Sequence, residues 1–87
     1  MGHRVELDEI EHAALSSGEV TEAAALYDAD KENIWLFYSG GSEIKGILTE
    51  LRKSLPGFMI PRKVKQLEAL PKLPNGKTDM ETLKGFF

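Results

Sequence analysis

Apolar residues recur first at helical spacing, then in two short extended runs, then at helical spacing again, and this succession divides the chain. Ile10, Ala13 and Ala14 stand at i, i+3 and i+4, so they share one face of a helix predicted from about Glu9 to Ser16. Asp8 followed by Glu11 resembles a capping box at its start, and Ser17-Gly18 ends it. Val20 to Tyr27 and Ile34 to Tyr38 are predicted strands, joined by the polar stretch Asp28 to Asn33 and expected to pair as a hairpin. Alanines at 23, 24 and 25 suit a helix equally well by propensity, but the segment's length and flanking turns favour a strand lying close under a helix. Ile34-Trp35-Leu36-Phe37-Tyr38 is apolar on both faces, which predicts the central, most buried strand.

Gly40-Gly41-Ser42 interrupts that strand, and Ser42 is expected to cap a second helix reaching about Leu55. Its apolar stripe is Ile44, Ile47, Leu48, Leu51 and Leu55. Pro56-Gly57 stops it. Phe58-Met59-Ile60-Pro61, with Phe58 read as core packing, leads into a third strand of about Lys63 to Glu68. A short helix of about Met80 to Lys84 closes the chain. The predicted class is α+β: a small three-stranded sheet with two packed helices and a C-terminal lysine-bearing turn.

Length limits what such a domain does by itself. A single domain of 87 residues buries only roughly 60 to 65 per cent of its unfolded surface, so a deep catalytic cleft of its own is not expected. Cysteine is absent, which excludes disulfides and thiolate metal sites and makes a reducing, cytoplasmic setting the default. His3 and His12 lack ligand-like spacing to each other, and no metal site is expected. No run approaches a membrane span, and the N-terminus lacks the apolar core of a signal peptide.

Charge is divided unevenly. Residues 1–50 carry 3 basic and 11 acidic side chains, a balance of −8, whereas residues 51–87 carry 8 basic and 3 acidic, a balance of +5. A basic half suits a solvated surface first, and the phosphates of a nucleotide or prosthetic group second. Nucleic acid is not expected as a partner: Trp35, Phe37 and Tyr38 lie in the acidic half and are not interleaved with Lys or Arg.

The basic half contains Leu73-Pro74-Asn75-Gly76-Lys77-Thr78-Asp79. Asn-Gly readily supplies positive φ at successive positions, and Pro71 and Pro74 remove alternative conformations, so Lys77 is expected at the tip of a stiff turn. Most such turns merely expose a solvated ammonium. A phosphate-cradling loop of the form G-x-x-x-x-G-K-[ST] fails here because its first position is Pro71 and Pro74 removes an amide donor.

Three segments together carry a resemblance: Gly2-His3-Arg4-Val5-Glu6-Leu7-Asp8-Glu9-Ile10-Glu11, Leu55-Pro56-Gly57-Phe58-Met59-Ile60-Pro61 and Pro74-Asn75-Gly76-Lys77-Thr78-Asp79. In this order they resemble the last three signature motifs of adenylate-forming enzymes, the AMP-dependent acyl and aminoacyl ligases. The wording of the first segment is more similar to nonribosomal-peptide adenylation domains and D-alanine–carrier-protein ligases than to acyl-CoA synthetases. The resemblance implies that residues 1–87 form the small C-terminal lid of such a ligase, with the N-terminal adenylation subdomain and the hinge absent and no activity expected from the lid alone. A naturally separate lid working in trans is the variant of this reading. A non-catalytic module holding an acidic partner through its basic half is the alternative from another class.

By the same resemblance, Lys77 is the adenylation lysine, with Asn75 and Gly76 beside it at the nucleotide. Gly2, His3 and Arg4 match the loop along which a phosphopantetheine thiol enters, the thiol belonging to a carrier protein or to coenzyme A. ATP and Mg²⁺ are implied for the parent enzyme, and none is expected to be bound by this chain alone. Acylation of Lys77, which would remove its charge and stop adenylation, is a further expectation. Two departures stand out: Met80 where the family often has arginine, and Phe58 where it usually has tyrosine.

Overall fold

The computed structural model describes residues 6–87. In chain order it contains α1 (Leu7–Leu15), β1 (Val20–Asp28), β2 (Asn33–Gly40), α2 (Ile44–Ser54), a single 3₁₀ turn (Gly57–Met59), β3 (Lys63–Gln66) and α3 (Met80–Lys84). The strands form one mixed sheet in the order β1-β2-β3, so the apolar run Ile34 to Tyr38 does occupy the centre. β1 and β2 pair antiparallel as a hairpin, with Leu26 opposite Trp35 and Ala24 opposite Phe37. β3 returns parallel to β2 after the α2 crossover, with Leu36 opposite Val64.

Alternation along the strands distributes two apolar sets to two faces of the sheet. Ala25, Ile34, Leu36 and Tyr38 face α1 and α2, where Ile10, Ala14, Ile47 and Leu51 are fully buried. Ala24, Leu26 and Phe37 face the other way and meet Leu70 and Leu83, the latter from α3. The small alanine side chains let helices approach the sheet closely on both sides. The sheet is thus a middle layer, and the C-terminal segment covers its second face.

Four local expectations are corrected. α1 begins two residues earlier than a capping box at Asp8 requires: its N-cap is Glu6, and Asp8 lies within the first turn. Glu11 instead crosses to β1, where its carboxylate accepts the Ala25 amide at 2.8 Å. α2 begins at Ile44 with Glu43 at its N-cap, so Ser42 is not the cap. The Ser42 hydroxyl accepts the Glu19 amide at 2.7 Å, and its carbonyl accepts the buried Tyr38 hydroxyl at 2.7 Å. β3 ends at Gln66, leaving Glu68 outside the sheet. Phe58 is 42% exposed, because the tight 3₁₀ turn directs Met59 into the core in its place.

A register shift between Val20 and Glu22 places an extra residue, Thr21, in β1 opposite the end of β2. Such a bulge re-aims nearby side chains. Gly40 makes it possible: its φ is +126°, and a Cβ there would lie 2.0 Å from the Glu19 carbonyl oxygen.

Candidate functional site

Between β3 and α3 the chain forms a small hairpin. Lys72 and Thr78 pair across it as an isolated antiparallel bridge, and the Leu73 amide donates to the Lys77 carbonyl at 2.7 Å. The Gly76 amide donates to the Leu73 carbonyl at 2.9 Å, which closes a four-residue turn around Pro74 and Asn75. Only Gly76 has positive φ, at +89°, so the expected positive φ at both Asn75 and Gly76 is corrected. Pro74 is the reason: its ring holds φ near −65°, which suits the first central position of an ordinary turn and moves the left-handed residue out to Gly76.

Asn75 has its own task. Its side-chain oxygen accepts the Lys77 amide at 3.0 Å, folding the Asn-Gly-Lys backbone onto itself. Lys77, Asn75 and Gly76 are thereby brought together in one turn. The Lys77 side chain is exposed, and among the described residues its ammonium has no hydrogen-bond or ion-pair partner. Gly2, His3 and Arg4 lie outside the described residues.

The hairpin is held at both of its roots. On the outgoing side the Asp79 amide donates to the Pro71 carbonyl at 2.8 Å, and the Asp79 side chain caps α3 by accepting the Thr82 amide and hydroxyl at 3.2 and 2.8 Å. Those bonds, the hydroxyl first, hold the Asp79 carboxyl below its ordinary range. Leu83, one residue further, is fully buried in the second core.

On the incoming side Leu70 is buried in the same core, and Glu22 of β1 grips the backbone beside it. One oxygen of Glu22 accepts the Leu70 amide at 3.1 Å and the Ser39 hydroxyl at 2.9 Å, and the other pairs with the Lys72 ammonium. The Lys72 bond first, then the Leu70 amide and Ser39 hydroxyl, lower the Glu22 pKa from 4.5 to about 2. Sequence reasoning missed Glu22. The available signal was a carboxylate between Thr21 and the alanine run, at a position that alternation assigns to an apolar face.

Among the described residues no group of three or more His, Asp or Glu side chains could hold a metal ion, and no helix is long and apolar enough to cross a membrane. The fold and the hairpin define a small α+β domain that offers a cation at its surface. The chain belongs to the AMP-binding enzyme C-terminal domain family, whose model matches residues 9–77.

Its relatives include an L-proline–[L-prolyl-carrier protein] ligase of Streptomyces coelicolor, 42% identical over 90 residues, and bacitracin synthase 3 of Bacillus licheniformis, 38% identical over 87. Each alignment covers 94% of this chain but only 17% and 1% of the respective relative. The chain therefore spans a sixth or less of the length of these proteins. Among solved structures it is similar to a four-domain nonribosomal peptide synthetase in its holo form, bound to AMP and glycine. That likeness has a TM-score of 0.81 and 28% identity, and covers 92% of this chain and 6% of the other.

Proposed function

We propose that this domain is the mobile lid of an ATP-dependent, AMP-forming ligase and that Lys77 acts in its first half-reaction. A carboxylate held by the N-terminal adenylation subdomain attacks the α-phosphorus of ATP, and pyrophosphate leaves. A phosphopantetheine thiol then attacks the acyl carbon of the adenylate, giving a thioester, AMP and the thiol's proton. The observation that carries this reading is an exposed lysine without a partner among the described residues, set on a hairpin braced at both roots, within the family's matched region.

The chemistry suits an ammonium. Negative charge converges where the carboxylate meets the α-phosphate, and a fixed cation there stabilises the in-line transition state. Removal of one such group costs on the order of 100- to 1,000-fold in rate. Asn75 and Gly76 contribute by shaping the turn that presents it. Mg²⁺ enters with the phosphates of ATP, which the N-terminal subdomain binds. A cytoplasmic setting follows from the need for ATP.

For the second half-reaction, Gly2, His3 and Arg4 are proposed to line the thiol's path, a residue without a side chain allowing close backbone approach. A carrier protein is preferred over coenzyme A as the thiol donor. The names of the carrier-protein ligase and of the peptide synthetases among the relatives support this choice.

The test is carboxylate-dependent ATP–pyrophosphate exchange with the N-terminal subdomain present, in cis or supplied in trans, comparing Lys77 with Lys77→Ala. Collapse of exchange, with thiol transfer from preformed adenylate largely kept, is the expected result. Unchanged exchange would reduce Lys77 to a surface turn and bring forward a basic module that holds an acidic partner.

A further inference from the structure

We infer that Glu22 is a positioning residue for Lys77: from β1 it sets the place and angle of the lysine hairpin, and so governs the adenylation half-reaction selectively. This rests on the role proposed for Lys77 above.

Little else can hold the hairpin. Residues 72–77 are exposed, so none of the described residues packs over the tip, and its orientation is decided at its roots. On the outgoing side the route from Lys77 passes through Thr78 and the Asp79 cap to the buried Leu83. On the incoming side it passes from Thr78 across the bridge to Lys72, and Lys72 is paired with Glu22. The carboxylate therefore acts one bridging pair away from the residue next to Lys77. The same carboxylate fixes the Leu70 amide, so it constrains two points of the incoming strand rather than one.

Glu22 is itself held in place. The Thr21 and Ser39 hydroxyls lie 2.9 Å apart, and Ser39, almost fully buried, donates to Glu22. That arrangement depends on the bulge that sets Thr21 and Glu22 opposite Ser39, and the bulge depends on Gly40. A carboxylate placed only to hold the fold together would need none of this directional support at an edge strand. The combination acts as a bracket between a rigid sheet and a loop that carries a reactive cation.

The experiment compares Glu22→Ala, Glu22→Gln and Lys72→Met in the ligase carrying this domain, with Ile47→Val as a control for lost stability on the opposite face of the sheet. Pyrophosphate exchange and thiol transfer from preformed adenylate are measured separately, alongside thermal unfolding. For Glu22→Ala, kcat of exchange is expected to fall about 10- to 100-fold, the range that a misplacement of about 1 Å produces, with KM and thiol transfer within about two-fold. Glu22→Gln, which still accepts the Leu70 amide, should recover part of the loss. Lys72→Met should lose a few-fold, and being an exposed change it carries the test if Glu22→Ala does not fold.

Parallel loss of both half-reactions in step with melting temperature, as in Ile47→Val, would overturn the inference and leave Glu22 a residue that only holds the fold. Unchanged exchange in the Glu22 variants, where Lys77→Ala abolishes it, would also overturn it while sparing the role of Lys77. Unchanged exchange in Lys77→Ala would remove both together.

Discussion

Glu22 and Lys72, fifty residues apart in the chain, form an ion pair that joins an edge strand to the root of the lysine hairpin. The pair is only partly shielded, the Glu22 side chain being 28% and that of Lys72 42% exposed. Its strength as a bracket comes less from Coulomb attraction, which water weakens at such a site, than from the three donors that converge on one carboxylate.

Acid should loosen this bracket. The Glu22 pKa is lowered from 4.5 to about 2, so folding favours the ionised form. Its contribution is complete above about pH 4.5 and is lost as pH falls towards 2. Thermal melts over that window should show a shallower acid-side decline for Glu22→Gln than for the parent chain. Equal slopes would mean that Glu22 is not paired in solution.

Two glycines in left-handed backbone should differ sharply when replaced by alanine. At Gly40 a Cβ meets backbone atoms of Glu19, Val20 and Thr21, which cannot retreat without undoing the bulge. At Gly76 no described residue lies within 4 Å of the added Cβ, so only the conformational penalty applies. Gly40→Ala should cost about 3 kcal/mol or more and Gly76→Ala about 1 to 2, measured by denaturant unfolding. A reversed order would remove Gly40 as the support of the bulge.

Those glycines also show which parts of the molecule could be read in the sequence. Ile47, Leu51 and Leu55 of the α2 stripe, the central apolar strand and α3 at Met80–Lys84 were legible because their signals are local, although Ile44, at the start of that stripe, is exposed. The caps were not. Glu11 and Ser42 carry the right chemistry for helix N-termini, but the amides they satisfy belong to Ala25 and Glu19, distant in sequence and made available only by the tertiary fold. The turn was legible in place and wrong in type, because Pro74 outranks the Asn-Gly preference in choosing which residue is left-handed. The role of Glu22 was hidden for the same reason as the caps: alternation marks it as a misplaced carboxylate, but its partners at 39, 70 and 72 converge only in the folded chain.

The Glu11 contact offers a prediction of opposite sign to that of Glu22. Burial, acting against the Ala25 hydrogen bond, raises the Glu11 pKa. Its ionised form is therefore disfavoured by folding, and its contribution declines as pH rises through the carboxylate range. Glu11→Gln keeps an acceptor for the Ala25 amide without a desolvated charge and should be neutral to slightly stabilising at pH 7. Glu11→Ala should cost about 1 to 2 kcal/mol by leaving that edge-strand donor unmet. Chemical denaturation of both variants at neutral pH checks the pair.

Asn75 separates two contributions to the lysine turn that Lys77→Ala cannot. Its side-chain oxygen accepts the Lys77 amide and so shapes the turn without supplying charge. Asn75→Ala removes that bond and should slow pyrophosphate exchange a few-fold through looser presentation. Asn75→Asp keeps an acceptor, and hence the turn, but sets a carboxylate beside the cation proposed to meet an anionic nucleotide. If only the shape of the turn matters and not the charge at its tip, Asn75→Asp should exchange as well as the parent at all salt concentrations. If the charge at the tip matters as proposed, Asn75→Asp should be the slower variant at low ionic strength, and the deficit should shrink as salt screens the added carboxylate. A deficit independent of salt would place the fault in the backbone and count against an electrostatic role for the tip.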